Sequence, residues 1–254
     1  MRFETAEISL LGDREDNQDR FAVHTAAAGL LLVVADGMGG HAGGAAAAST
    51  AVASLVQSFE EADPEMDPAR FLSGAIARAH DDVVALGMQV GIGAAPRTTL
   101  AACVVRDGGA VWAHVGDTRV YHARDRALLI RTRDHTAIEA LLQDGLITED
   151  EIPGHPMRHY VEFCLGGLPE QPLVTVSQPA ALAPGDLVLL CSDGLWSELD
   201  DADLATGPDD ETSLGDWLTR IAGRAVRAGA PYSDNTTAVA LRALADGSEE
   251  GAAT

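Results

Sequence analysis

Runs of apolar residues divide the chain into predicted strands and helices. The most apolar run, residues 30–35, reads Leu-Leu-Leu-Val-Val-Ala and predicts a strand that is buried on both faces. Ala-rich residues at helical spacing over 43–60 predict a core helix, and Asp67 and Pro68 are placed to begin a second helix over 68–89. Further strands are predicted at 4–10, 20–25, 98–105, 110–115, 118–123, 127–132, 173–176, 186–191 and 236–244, and further helices at 136–144 and 213–228.

The order of these elements predicts one layered domain. The strands are grouped, with helices before and after them, instead of alternating strictly with helices. Such an order is typical of antiparallel sheets with helices packed outside, an α+β arrangement. No internal repeat or Pro/Gly/Ser-rich linker divides the sequence, so we expect a single domain over residues 1–245 and a disordered tail over 246–254.

The charge of the chain narrows the choice of partner. Seventeen basic residues stand against 39 acidic ones, which gives a formal net charge of −22, and only 4% of the residues are aromatic. Such a surface repels phosphate backbones and offers few rings for base stacking, so we expect no nucleic-acid partner. All the basic residues are Arg. The lack of Lys excludes a Walker-type phosphate loop, a Schiff-base enzyme and a protein kinase.

The sequence also lacks the usual signals for export or membrane insertion. Glu4 and Glu7 interrupt the region where a signal peptide needs an apolar stretch, and the strongly apolar run over 26–35 is about half of a membrane span. Three cysteines lie far apart, at positions 103, 164 and 191, which favours neither a disulfide framework nor a zinc site. We therefore expect a cytoplasmic protein with reduced thiols and no membrane partner.

Two Asp-Gly pairs follow the two most apolar strands directly. Asp36-Gly37 ends the strand over 30–35, and Asp193-Gly194 follows the strand over 186–191. The other three Asp-Gly pairs have ordinary explanations as a hairpin turn at 107–108, a helix end at 144–145 and part of the tail at 246–247. Since a carboxylate at a buried strand end needs a cation or a donor to offset its desolvation, we interpret Asp36 and Asp193 as functional.

Two polar turns supply further carboxylates. Asp19 precedes the strand over 20–25, and Asp234 precedes the final strand. Each turn alone is also typical of an ordinary polar loop. Together with Asp36 and Asp193 they would carry four negative charges, which balance two divalent cations. Oxygen ligands without accompanying His or Cys favour Mg²⁺ or Mn²⁺ over Zn²⁺.

Other enzyme classes fit the sequence poorly. Residues 37–42, Gly-Met-Gly-Gly-His-Ala, formally match a dinucleotide-binding fingerprint. Asp36 would then face the pyrophosphate, and no strand some twenty residues later carries a ribose-binding acid. No Cys has an Arg six positions later, and neither a Gly-x-Ser-x-Gly elbow nor a His-Glu-x-x-His helix occurs.

Five short motifs occur in a fixed order along almost the whole chain, from about residue 3 to 244. They are Arg14…Asn17-Gln18-Asp19, Ala35-Asp36-Gly37-Met38-Gly39-Gly40, Gly116-Asp117-Thr118-Arg119, Cys191-Ser192-Asp193-Gly194 and Ser233-Asp234-Asn235. This pattern resembles the metal-dependent (PPM, or type 2C) protein serine/threonine phosphatases in their compact bacterial form.

The resemblance implies a fold and an activity. The fold would be a four-layer α-β-β-α sandwich, in which helices flank two antiparallel sheets and a binuclear Mn²⁺ or Mg²⁺ centre lies at one edge. The protein would be a hydrolase that removes phosphate from phosphoserine and phosphothreonine with a water activated at that centre. It would act in signal transduction. A flap over about 135–167 would border the active site and influence substrate choice.

The resemblance also implies the metal ligands. Asp36 would bridge both ions, and the Gly37 carbonyl would hold one of them. Asp193 and Asp234 would hold the other ion. Asp19 would act through an intervening water.

Further roles concern the substrate and a third ion. Asp117 would share a third, looser metal position with Asp193, and Arg14 would grip the substrate phosphate. The expected catalytic residues are thus Arg14, Asp36 and Asp193.

Two further residues lie close to the expected ligands in the sequence. His41 is either the acid for the leaving group or a hydrogen-bonded residue at a helix start. Gln18 departs from the family, which commonly has Glu there, and we expect it to weaken metal affinity without loss of activity.

Two alternatives to an active protein phosphatase stay open. One is a weakly active or inactive domain that binds phosphoproteins or a regulatory partner, which Gln18 favours slightly. The other is a metal-dependent hydrolase of a small phosphorylated metabolite. For the leading interpretation the expected partners are proteins phosphorylated on Ser or Thr, including a cognate Ser/Thr protein kinase or its substrates, and the expected state is a monomer.

Overall fold

Strands form the central layers of the fold, and helices form its outer layers. The computed structural model describes residues 1–38, 41–90, 95–158, 160–209 and 211–246, with their side chains except at positions 41, 42, 90 and 153. The strands are β1 (Arg2–Leu10), β2 (Arg20–Ala26), β3 (Gly29–Ala35), β4 (Gly37–Met38), β5 (Arg97–Thr98), β6 (Leu100–Arg106), β7 (Gly109–Val115), β8 (Arg119–Arg124), β9 (Ala127–Arg131), β10 (Leu165–Gly166), β11 (Thr175–Val176), β12 (Ala180–Ala181), β13 (Leu187–Cys191) and β14 (Thr236–Leu244). The α-helices are α1 (His41–Glu60), α2 (Pro68–Val90), α3 (Ala137–Gln143), α4 (Asp193–Trp196), α5 (Asp201–Ala205) and α6 (Leu214–Gly229).

Two antiparallel sheets stack on each other. One has the strand order β1-β14-β13-β8-β9, and the other has the order β11-β7-β6-β3-β2, with β12 also paired to β7. Helices α1 and α2 pack on the outer face of the second sheet, and α4, α5 and α6 pack on the outer face of the first. The predicted four-layer α-β-β-α sandwich is therefore confirmed.

The alternation of side chains in β3 explains its unbroken apolar sequence. Leu31 and Val33 pack towards α1 and α2, whereas Leu32 and Val34 pack between the two sheets. A strand in the middle of a layered sandwich is buried on both faces, so both sets of alternating positions are apolar. The same alternation occurs in β13.

Local signals fixed several element ends as predicted. The carboxylate of Asp67 accepts a hydrogen bond from the Arg70 amide at 2.8 Å, which caps α2. Asp107 and Gly108 form the β6–β7 turn with φ of 51° and 75°, as a tight hairpin turn requires. Arg124 and Asp125, between the predicted strands over 118–123 and 127–132, also predict a tight turn, and this prediction was wrong by one residue. Arg124 still pairs with Ala127, so the turn consists of residues 125 and 126.

Short elements escaped the sequence analysis. A three-stranded sheet, β10-β5-β4, consists of two-residue strands in which Thr98 pairs with both Gly37 and Leu165. It joins the segment after β3 to the end of the predicted flap. The flap itself contains a 3₁₀-helix over Glu149–Gly154 and is closed by a bridge between Thr136 and Val161. Two-residue strands have no hydrophobic period, so a pattern search does not find them.

No helix in the described ranges combines the length and the apolar character that a membrane crossing needs. Residues 247–254 of the predicted tail lie outside the described residues.

Candidate active site

Segments from both sheets meet at one pocket of about 630 Å³. It lies where β3, β13 and the beginning of β14 come to the same edge of the sandwich, beside the β1–β2 and β7–β8 loops. The pocket is lined by Arg14, Asp36, Gly37, Asp117, Asp193 and Asp234. Residues that are distant in the sequence are therefore brought together, whereas Asp19, which was also expected at this site, is buried and does not line the pocket.

The segment after β3 is held by close backbone contacts. The Asp36 carbonyl accepts hydrogen bonds from the Thr98 hydroxyl at 2.8 Å and the Thr99 amide at 2.9 Å. A Cβ atom at Gly37 would collide with the carbonyl of Gly44 in α1. Glycine is thus required at position 37 because helix α1 packs directly against the backbone there.

The segment after β13 is fixed equally tightly. Asp193 begins helix α4, and a Cβ atom at Gly194 would collide with the Asn235 carbonyl. The hydroxyl of Ser192 donates a hydrogen bond to Asp19 at 2.7 Å. Asp19 is only 3% exposed, so this donor is one of the few groups that stabilise its charge.

Asn235 ties the loop that carries Arg14 to the beginning of β14. Its side-chain amide donates to the carbonyls of Leu11 at 2.9 Å and Asp16 at 3.1 Å, and its side-chain oxygen accepts from the Gln18 amide at 2.9 Å. This positioning role of Asn235 is not apparent from the sequence. A side chain with both donors and an acceptor is suited to joining two loops, but sequence does not reveal which loops meet.

Arg14 contacts a predicted metal ligand in this structure. Its guanidinium donates to the Asp234 carboxylate at 2.6 Å, and both side chains are partly exposed. The other Asp234 oxygen accepts from the Asn235 amide at 2.7 Å. Arg14 therefore lies at the pocket wall, within reach of an anion that enters.

Burial gives the carboxyl groups strongly perturbed pKa values. Burial, followed by the neighbouring negative charges, raises the pKa of Asp36 well above its usual value. Burial is also the main cause that raises the pKa of Asp19 to about 7, of Asp117 to about 8 and of Asp193 to about 6. The protein's own groups thus leave much of this negative charge uncompensated.

The donor set fits divalent cations. The pocket offers carboxylate and carbonyl oxygens, and the described residues that line it include no His or Cys. Hard oxygen ligands of high negative charge are those that Mg²⁺ and Mn²⁺ prefer. Within the described ranges, no three Asp, Glu, His or Cys side chains are already arranged around one point to hold an ion, so binding would require the carboxylates to turn towards it.

A network outside the pocket fixes the position of Asp117. The indole of Trp196 donates to the Asp117 carbonyl at 2.9 Å. The Arg119 guanidinium lies 3.4 Å from the centre of the Trp196 ring, and it donates to both carboxylate oxygens of Asp134 at 2.8 and 2.7 Å. In the sequence Arg119 stands out only as part of a motif, and no sequence signal marks Trp196 or Asp134.

The pocket is also lined by several residues that the sequence does not single out as site residues, and three examples come from the three-stranded sheet and the flap. They are Met38 of β4, Arg97 of β5 and Tyr160 of the flap. Their positions depend on the pairing of two-residue strands and on the path of the flap, and no local sequence signal marks them. His41 is the first residue of α1, but its side chain lies outside the described part of the structure, so its role stays a prediction from sequence.

The raised pKa values predict how the metal-free protein responds to pH. Carboxyls with a pKa near 3.9 in the unfolded chain and about 6 to 8 when folded make the folded state bind more protons between about pH 4 and pH 8. Stability is then greatest at the acidic end of this window and falls as the pH rises. In EDTA we expect the melting temperature to drop by at least about 3 °C from pH 5 to pH 8, which corresponds to roughly 1 kcal/mol.

The same melting experiment contains its own control. Excess Mn²⁺ in place of EDTA should raise the melting temperature most at pH 8, where the carboxylates are ionised. Asp186, whose pKa is lowered to about 2 although burial alone would raise it, contributes stability that is lost only at more acidic pH. A melting temperature in EDTA that stays constant from pH 5 to pH 8 would contradict the prediction.

Comparisons with known proteins identify relatives that match most of the chain. The sequence profile described as "Protein phosphatase 2C" matches residues 9–228. The chain is 32% identical to the serine/threonine protein phosphatase PstP of Mycobacterium tuberculosis over 231 residues, which are 89% of this chain and 42% of PstP. It is 31% identical to the protein phosphatase PhpP of Streptococcus pneumoniae over 234 residues, which cover 86% of this chain and 92% of PhpP.

A solved structure is similar over nearly the whole chain. The catalytic domain of serine/threonine protein phosphatase PstP, in complex with two manganese ions, has a TM-score of 0.78 and 29% identity. The match covers 96% of this chain and 99% of that domain. The chain thus spans less than half the length of full PstP but matches its catalytic domain from end to end.

Proposed function

The chain belongs to the protein phosphatase 2C family, and we propose that it is a metal-dependent protein serine/threonine phosphatase with one catalytic domain over residues 1–245. One observation carries the proposal: carboxylates from both sheets surround a single pocket whose wall also holds Arg14. Phosphate hydrolysis assisted by divalent ions needs carboxylates that hold the ions and a positively charged side chain that binds the phosphate. The pocket carboxylates and the Arg14 guanidinium provide these two features.

The carboxylates of the pocket would hold two divalent cations, Mn²⁺ or Mg²⁺. Asp36 would bridge them, with the Gly37 carbonyl on one ion and Asp193 and Asp234 on the other. Asp117 would contribute to a third, weaker position. When bound, the cations lower the pKa of water and neutralise charge on the phosphate.

The chain's own residues bind and orient the substrate. Arg14 presents a planar guanidinium, which can donate two parallel hydrogen bonds to a phosphoryl group. Asp19 is held by the Ser192 hydroxyl at 2.7 Å and would orient water in the buried part of the site. The hydrogen bonds of Asn235 keep the Arg14 loop at the pocket wall, so the phosphoryl group is bound at a fixed distance from Asp36 and Asp193.

Phosphate release from a phosphothreonine peptide tests the proposal. We expect turnover by the purified protein with Mn²⁺ or Mg²⁺ and none with EDTA. Free phosphorylated metabolites serve as competing substrates in the same assay, and faster turnover of a metabolite would favour the small-molecule hydrolase. Absence of turnover with either metal, in a protein with a cooperative melting transition, would overturn the proposal and favour the regulatory binding module.

Replacement of Arg14 by Ala should mainly raise KM. Arg14 would contact the phosphate in the bound substrate as well as in the transition state, so its loss weakens both. We expect KM to rise about tenfold at saturating Mn²⁺, with a smaller change in kcat, as expected for the loss of roughly one charge-assisted hydrogen bond. Arg14→Lys should lie between, because it keeps the charge without the fork. A change in kcat alone would refute the role in substrate binding.

Replacement of Gln18 by Glu should tighten Mn²⁺ binding. The Gln18 side chain lies at the pocket beside Gly44 of α1 and brings no charge. A carboxylate there adds attraction for the cations, and we expect a several-fold lower dissociation constant by calorimetric titration. Gln89→Glu, which adds the same charge on the exposed end of α2, is the control. Equal affinities of Gln18→Glu and the unchanged protein would count against the prediction.

We propose that the protein acts in cytoplasmic signal transduction as a monomer. Its substrates would be proteins phosphorylated on Ser or Thr, including a cognate Ser/Thr kinase or the targets of that kinase. The three cysteines are unpaired, and Cys103 and Cys191 are buried, which is compatible with a reducing compartment. Gel filtration with light scattering would test the monomeric state.

A further inference from the structure

Arg97 is held at the rim of the pocket by the three-stranded sheet. It belongs to the central strand, where it pairs with Met38 on one side and Gly166 on the other. The adjacent residues Thr98 and Thr99 both bond to the Asp36 carbonyl. The backbone of Arg97 is therefore fixed relative to the base of the pocket by hydrogen bonds to the segment that carries Asp36.

The end of the flap sets the direction of the Arg97 side chain. Gly167 has a φ of +77°, and the position of its missing Cβ lies 3.0 Å from Arg97 Nε and 3.3 Å from Arg97 Cδ. The stem of Arg97 therefore passes over Gly167, and the residue lines the pocket while remaining exposed. An ordinary side chain at position 167 would push this stem away.

The Arg97 guanidinium forms no ion pair within the described part of the chain and can therefore bind a ligand. No carboxylate pairs with it among the described residues, whereas Arg14 of the same pocket is paired with Asp234. A guanidinium without an acidic partner offers five N–H donors to a ligand. Because the chain has a net charge of −22, Arg97 places a positive charge at the pocket of a protein that is otherwise strongly acidic.

Arg14 and Arg97 come from different parts of the pocket wall. Arg14 is on the β1–β2 loop beside the beginning of β14, and Arg97 is on β5 beside the end of the flap. In the proposed function the phosphoryl group would bind at the carboxylate cluster with Arg14. Arg97 is exposed and lines the same pocket, so it would face the residues that flank the phosphorylated one.

We infer that Arg97 is a specificity-determining residue that binds an acidic side chain next to the phosphorylated Ser or Thr. This inference rests on the proposed phosphatase function and adds to it a substrate class, namely phosphorylated segments with neighbouring Asp or Glu. The exposed ion pair would select among substrates without taking part in the bond-breaking step.

Two phosphothreonine peptides of identical composition test the inference. In one, Asp residues flank the phosphothreonine, and in the other the same Asp residues are moved to the peptide ends. The overall charge is equal, so the general repulsion by the acidic protein cancels. We expect the ratio of kcat/KM for the flanked over the displaced peptide to be about two to five at low ionic strength, as for an exposed ion pair, and to fall with added salt.

Variants assign the preference to one residue. Arg97→Gln should bring the ratio to about one, and Arg97→Glu should bring it below one. Arg133→Gln is the matched control, because Arg133 is exposed, lies outside this pocket and likewise has no ion pair among the described residues; it should keep the ratio. Since the readout is a ratio within one variant, a general loss of activity cancels.

Each failure has a separate meaning. If the unchanged protein hydrolyses neither peptide with Mn²⁺ or Mg²⁺, the proposed function itself fails. If it hydrolyses both peptides and Arg97→Gln leaves the ratio as it was, the inference about Arg97 is overturned while the phosphatase function stands. Equal losses of kcat/KM for both peptides in Arg97→Gln would also overturn it, because Arg97 would then act on the phosphoryl group.

Discussion

Replacement of Asp36 or Asp193 by Asn is expected to lower kcat by about three orders of magnitude. Each change removes a negative charge that would hold the divalent cations. Charge stabilisation by such ions contributes several kcal/mol to the transition state, and about 1.4 kcal/mol corresponds to a factor of ten in rate. The measurement is phosphate release from a phosphothreonine peptide at saturating substrate and increasing Mn²⁺.

The stability of the same variants separates loss of function from loss of fold. Asn is nearly isosteric with Asp. It also removes a carboxyl group whose ionisation is disfavoured by burial, which raises the pKa of both Asp36 and Asp193. In EDTA at pH 8 the melting temperature of either variant should therefore equal or exceed that of the unchanged protein.

A charge-matched control lies outside the site. Asp203→Asn removes a charge from α5, where Asp203 pairs with Arg224 at 2.8 Å, and it should change kcat less than twofold. Activity of Asp36→Asn and Asp193→Asn within tenfold of the unchanged protein would refute their assignment as ligands.

The main strands could be predicted because burial on two faces leaves a strong sequence signal. The apolar runs of β3 and β13 identify the centre of the sandwich, and the Asp-Gly pairs that follow them identify the site. Asp19 and Asp234 could be proposed as further ligands because their charges, with those of Asp36 and Asp193, would balance two divalent cations; Asp234 lines the pocket, and Asp19 is buried and does not. These conclusions depend only on local sequence and on simple electrostatics.

What sequence left out depends on contacts between distant segments. Arg97 lies at the pocket because β5 pairs with β4, some sixty residues earlier in the chain, and with β10, some seventy residues later. Asn235 joins loops more than two hundred residues apart in the sequence. Neither residue stands out locally, because Asn and Arg are ordinary in polar turns and at strand ends.

The ion pair of Arg119 and Asp134 links stability to the site. Both side chains are buried, with 10% and 7% of their surfaces exposed. Arg119 also donates to the Tyr121 hydroxyl at 3.2 Å and stacks on Trp196. Because Trp196 donates to the Asp117 carbonyl, disruption of this pair should also loosen the loop that carries the proposed third metal position.

Removal of Arg119 is therefore expected to destabilise the protein strongly. Arg119→Ala leaves the Asp134 carboxylate buried without its partner, and loss of one member of such a pair costs about 3–5 kcal/mol. Urea unfolding in the presence of Mn²⁺ measures the free energy of unfolding. The free energy of unfolding of Arg119→Lys should lie between those of Arg119→Ala and the unchanged protein, because the ammonium group of Lys cannot bind both carboxylate oxygens as Arg does.

A double-mutant cycle with Asp134→Asn tests whether the pair itself is responsible. The double variant Arg119→Ala/Asp134→Asn has no uncompensated charge, so its loss of stability should be smaller than the sum of the two single losses. Additive losses would mean that the stacking of Arg119 on Trp196 and general packing, and not the buried ion pair, account for the contribution of Arg119. A loss below about 1 kcal/mol for Arg119→Ala would refute the contribution of Arg119 to stability altogether.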